Sequence, residues 1–146
     1  MRVCGIEIKS NEAIICLMDM DDGLLQIPDC RQTRFQLVKD NVAENVRKFQ
    51  FTFRKLVEDY RIDCLVIKER MQKGKFAGGA VGFKMEAALQ LIDTVDTQLL
   101  SGSKQKEILK RNPVPIEFSS TGLKGFQEPA FTIAYSYLMG QEYGVE

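Results

Sequence analysis

The chain has 146 residues, a length that the usual size prior assigns to one domain spanning 1–146. Its 20 Lys and Arg balance 20 Asp and Glu, so no chain-wide positive field collects nucleic acid, and any phosphate-binding role must come from a local cluster. Histidine is absent, which excludes imidazole zinc sites and Ser-His or Cys-His catalysis. In chain order, Arg2–Ile8 is short and apolar and reads as a strand, Ser10-Asn11 as a turn, and Ala13–Met20 as a second strand. Asp21-Asp22-Gly23 is a hairpin turn signal, because Asp-Gly suits left-handed backbone. It superficially resembles a calcium loop with Asp19, but the bidentate Glu at the twelfth position is missing. After an irregular stretch with Pro28, Arg31–Val38 reads as the third strand of an antiparallel meander.

The period then changes. Val42, Val46, Phe49, Phe53, Leu56, Val57 and Tyr60 recur every three or four residues, one apolar stripe of a helix. Asn41 with Glu44 predicts a capping box at its start. Phe51 lies off the stripe and reads as contact surface. Asp63–Lys68 is continuous and β-branched, as a strand buried on both faces should be. A basic, glycine-bearing loop follows, then a helix over about Ala80–Ile92, a strand over Val95–Leu100 and a short polar helix over Ser103–Arg111. Val114–Phe118 reads as a brief extended piece between prolines, and a last helix runs over about Pro129–Met139. The order predicts an α/β fold with a mixed five-stranded sheet, in which the meander of strands 1–3 is followed by βαβα and helices cover both faces.

Cys4, Cys16 and Cys64 lie in or beside apolar runs, and no pair of the four cysteines has CxxC spacing. They read as reduced core thiols, which fits a cytoplasmic location. The first residues lack the apolar core of a signal peptide, and no stretch has the length of a membrane span.

This element order is that of the ribonuclease H-like fold, and particular residues resemble its RuvC-like branch, the resolvases and their ribosomal-RNA-maturation relatives. Gly5-Ile6-Glu7 is similar to the Gly-Ile-Asp that opens those proteins. Val66-Ile67-Lys68-Glu69-Arg70 resembles their second acidic motif, and 76–82 the start of the small-residue helix behind it. Gln127-Glu128-Pro129-Ala130 resembles the last motif, where an acid opens the C-terminal helix. Over its full length the chain also looks like a small bacterial family of unassigned function, a likeness that supplies no activity. The RuvC-like resemblance implies a metal-dependent nuclease acting on DNA or RNA, working as a homodimer. Its metal ligands and catalytic residues would be Glu7, Glu69 and Glu128, and its phosphate contacts Lys68, Arg70, Lys73 and Lys75. Converging carboxylates repel one another without a cation, and hard oxygen ligands suit Mg²⁺ or Mn²⁺. Two such ions activate water and stabilise the leaving oxygen of a phosphodiester.

Each residue also has a plainer reading. Glu7 departs from the resembled Asp by one methylene and reads equally as a polar strand end. Glu69 reads as part of a surface ion-pair cluster with Lys68 and Arg70. Glu128, before Pro129, reads as a helix N-cap, and Glu117 is the next acid to take its place. The loop's Lys68, Arg70, Lys73, Lys75 and Lys84 read as a solvated charged segment, with Gly74, Gly78, Gly79 and Gly82 serving helix packing; no Walker or dinucleotide pattern occurs. The rival function is therefore a non-catalytic ribonuclease H-like scaffold that binds a protein or nucleic acid. An actin-like phosphotransferase relative fits less well, because that type needs two such domains and its own phosphate loops.

Overall fold

A computed structural model of the chain describes residues 1–71 and 79–143. The two apolar runs at the start form a long antiparallel hairpin of β1 (Arg2–Lys9) and β2 (Glu12–Asp21), which turns at Ser10 with φ 56°. Asp22 and Gly23 both take left-handed backbone, φ 51° and 77°, and return the chain as β3 (Leu24–Gln26). The expected strand over 31–38 shrinks to β4 (Arg34–Gln36). Both short strands pair with β2, β3 against Asp19–Asp21 and β4 against Glu12–Ile14. A single third strand was expected; the chain instead covers this edge in two pieces. Pro28 lies between them and can donate no ladder hydrogen bond, and three residues of β3 are too few to show an alternating pattern.

α1 (Ala43–Tyr60) follows the apolar stripe, with Phe49, Phe53, Leu56 and Val57 buried. It starts after Val42, so Asn41 lies outside the cap position and the expected capping box does not form. β5 (Cys64–Lys68), α2 (Ala80–Gln90), β6 (Asp96–Leu100) and α3 (Gly102–Arg111) fall close to expectation. Val114–Phe118 forms no strand; a 3₁₀ turn over Phe118–Thr121 takes its place. A second 3₁₀ turn, Gly125–Gln127, runs directly into α4 (Glu128–Tyr143).

The strands form a six-stranded mixed sheet in the order β3-β2-β1-β5-β6, with β4 also on β2. β1, β5 and β6 are parallel neighbours, so their C-terminal ends share one edge. Alternation splits the side chains between two cores. Cys4, Ile6 and Ile8 of β1 and Leu65 and Ile67 of β5 pack under α1 and α2. Val3, Cys64, Val66 and Leu100 pack under α3 and α4. Each large apolar side chain so buried stabilises the fold by roughly 1.5–3 kcal/mol. α4 lies close on β1: a Cβ on Gly5 would stand 2.8 Å from Ala134 Cβ and closer still to the Ala130 carbonyl oxygen.

Candidate site at the sheet edge

Strand parity decides which acids meet at this edge. Gly5 faces α4, so Glu7, two residues on, leaves the sheet on the α4 side. The parallel register pairs Gly5 with Val66 and Ile6 with Ile67. One step further, the residue level with Glu7 is Lys68. Lys68 is in turn the register partner of Leu100, which is buried under α4. Lys68 therefore shares the α4 face with Glu7, about 4.8 Å away along the sheet. Both are half-buried.

Glu69 goes the other way. Its N–H still donates to Leu100 O at 2.9 Å, so the strand geometry persists and the pleat turns Glu69 toward α2. There it acts on Glu86, whose carboxyl is held above its ordinary value by burial, pulled down by Arg70 and pushed up by Glu69. Glu86 is 8% exposed, and its Oε2 has no hydrogen-bond partner among the described residues. Arg70 is a packing group. Its Nη1 donates to Ile8 O, its guanidinium lies 5.6 Å from the Phe83 ring centroid, and it abuts Gly82 so closely that a Cβ there would meet Nη2 at 2.7 Å. Lys84 is paired with Asp40 at 3.0 Å. Lys73 and Lys75 lie outside the described residues.

Glu128 opens α4 and is exposed. The expected N-cap role fails, because Glu128 is already helical at φ −56°, ψ −46°. The preceding 3₁₀ turn supplies the continuity that outweighs the usual bias before proline. The side chain that fixes this end is Gln127, only 3% exposed. Its Oε1 accepts from Lys124 N–H and its Nε2 donates to Ile15 O, both at 3.0 Å. Ile15 is the register partner of Ile6, so Gln127 ties the start of α4 to the hairpin one residue from Glu7.

The edge thus carries Glu7, Lys68 and the start of α4 on one face, and Glu69, Glu86 and Arg70 on the other. Among the described residues no three His, Cys, Asp or Glu side chains gather as a group able to hold a metal ion. Of the acids expected to share Mg²⁺ or Mn²⁺, Glu69 is divided by the sheet from Glu7 and from the start of α4, and Lys68 emerges on the Glu7 face, so this donor set does not fit a carboxylate-bridged metal pair. Two residues escaped the sequence reading. Glu86 lies on the α2 stripe Gly82, Met85, Glu86, Leu89, a helical spacing that signals burial. Gln127 gave no signal, since its partner Ile15 is 112 residues away.

Residues 1–137 match a family described as a protein of unknown function, DUF3010. The chain belongs to the DUF3010 family. No curated protein matches this DUF3010 chain. Among solved structures it is similar to Thermus thermophilus RuvC, with a TM-score of 0.75 at 12% identity, covering 99% of this chain and 98% of that one. It is also similar to Thermus thermophilus RuvC in complex with Holliday junction substrate, with a TM-score of 0.71 at 11% identity, covering 99% and 97%. The DUF3010 chain therefore has the ribonuclease H-like fold of RuvC over its whole length.

Proposed function

We propose that this chain binds nucleic acid at the edge where β1, β5 and β6 end, as a RuvC-like scaffold that does not cut the strand. The observation that carries this reading is the parity of the edge: Glu7 and Glu69 occupy opposite faces of the sheet. Two-metal hydrolysis of a phosphodiester needs its carboxylates close enough to hold ions about 4 Å apart. The choice of nucleic acid as partner draws support from the RuvC relative solved with its junction substrate. It is also supported by the basic run that starts at Lys68 on this edge. With a neutral net charge the contact is local, and its salt dependence scales with the number of phosphates neutralised.

A second reading keeps the nuclease. It is favoured by Glu7 lying on the face where α4 packs, and by α4 opening with an exposed Glu128. In that reading Glu7, Glu69 and Glu128 hold Mg²⁺ or Mn²⁺, and the ions supply an activated water and charge stabilisation at the leaving oxygen.

Fluorescence anisotropy with labelled four-way, duplex and single-stranded DNA and RNA, in EDTA and in Mn²⁺, separates the two. Binding that survives EDTA, with all strands intact after prolonged Mn²⁺ incubation, is the expected result. Cleavage in Mn²⁺ that Glu7→Gln abolishes would replace the first reading with the second. No binding to any of these substrates at low salt would end the nucleic-acid proposal.

A further inference from the structure

We propose that the Lys68 ammonium is the resident cation of this edge, standing where a carboxylate-bound divalent ion would need a second ligand, and that it contacts one backbone phosphate. The phosphate part rests on the nucleic-acid reading above; the cation part does not.

The argument starts from register. Gly5↔Val66 and Ile6↔Ile67 bring Glu7 level with Lys68 on adjacent parallel strands, and the buried partner Leu100 fixes the face on which Lys68 emerges. Two carboxylates at these two places would be about 4.8 Å apart at their backbones, a spacing that side chains can close onto one ion. A lysine at the second place reverses the electrostatics. Its positive charge emerges on the same face as Glu7 without forming a direct ion pair with it, and it disfavours any divalent ion approaching Glu7. Lys68 is the last residue of β5, a strand buried on the rest of its length, so the face and backbone point from which the charge projects are set by the sheet. Lysine is a point charge with three donors and binds phosphate in that manner. Half-burial strengthens such a contact relative to a fully solvated lysine.

The identity of residue 68 then controls whether the edge is a metal site. Changing Lys68→Glu places two carboxylates side by side on the α4 face, with Glu7 the near neighbour. That predicts a gained divalent-ion site at this edge.

Thermal unfolding of the full chain with and without millimolar Mn²⁺ tests this, using the wild type, Lys68→Glu and the double variant Lys68→Glu/Glu7→Gln. The wild type should not respond to Mn²⁺. Lys68→Glu should gain roughly 5 °C at saturating ion, and the double variant should lose that gain. A wild-type gain that Glu7→Gln removes, or a folded Lys68→Glu that ignores Mn²⁺, overturns the proposal. If the reversed charge prevents folding, Lys68→Gln keeps the length and removes the charge; it should show a smaller Mn²⁺ gain, and none would equally overturn it. In the binding arm, Lys68→Gln should weaken nucleic-acid binding alike across sequences and reduce the slope of log K against log salt by about 0.9. An unchanged slope removes the phosphate contact. Absence of binding by the wild type removes the nucleic-acid reading and leaves the Mn²⁺ result to decide the cation claim by itself.

Discussion

Replacing Gly5 by alanine adds one methyl group at the tightest contact between the sheet and α4. The new Cβ would lie 2.8 Å from Ala134 Cβ and 3.0 Å from Ala134 N, and nearer still to the Ala130 carbonyl oxygen. Two of these three neighbours are helix backbone, which cannot rotate away as a flexible side chain can. The helix must therefore lift from β1 by a sizeable fraction of an ångström. Overpacking of this kind costs about 3 kcal/mol, the upper end of the usual range. A chain of 146 residues unfolds with an entropy of about 0.3 kcal/mol per kelvin near its midpoint. The expected fall in Tm is then about 10 °C. Urea unfolding should show a lower midpoint with the same slope, since the surface exposed on unfolding is unchanged. Because α4 packs on the face from which Glu7 and Lys68 emerge, the same substitution should also weaken nucleic-acid binding at this edge. A Gly5→Ala protein within 0.5 kcal/mol of wild type would refute the claim that α4 is seated on β1 through this glycine.

Gln127→Ala removes both bonds of a buried amide and leaves the Ile15 carbonyl without its partner; urea unfolding should show a loss of about 2 kcal/mol. Glu86 has its folded-state carboxyl raised above the ordinary value near 4.5, so the folded chain holds that proton more tightly than the unfolded chain does. Stability from this group is then present below the ordinary value and lost as pH rises through the raised one. Glu86→Gln should remove that pH-dependent loss, making the variant more stable relative to wild type at pH 8 than at pH 4.5, read as the difference between two urea-midpoint series. A thiol reagent on the native chain should modify Cys30 first. Cys4, Cys16 and Cys64 are buried, and burial pushes Cys16 up to about 12 and Cys64 up to about 11, so these react on the timescale of unfolding.

The strands of the sheet and the long helix announced themselves through local pattern. β1, β2 and β5 are apolar runs, and α1 keeps its stripe over 18 residues. What local pattern missed was brief or non-local. β3 has three residues, too few for periodicity. The clamp of Gln127 on Ile15 spans 112 positions. The expected acid set meets an obstacle of a different kind. Glu7 and Glu69 both sit at ends of neighbouring parallel strands, and that much followed from element order. Which face each one takes depends on register, and register between β1 and β5 is set by packing on α4 and α2, not by either strand alone. The parity itself was legible, since Lys68, not Glu69, alternates in step with Val66.

Register has a consequence for how such proteins diversify. Because neighbouring positions on β5 serve different layers, displacing Glu69 by a single step along the polypeptide would carry its charge through the sheet from the α2 layer to the α4 layer. A one-codon deletion or a swap of adjacent residues at this point therefore separates an acidic edge from a basic one. The same architecture can present a carboxylate or an ammonium next to Glu7 without moving any helix.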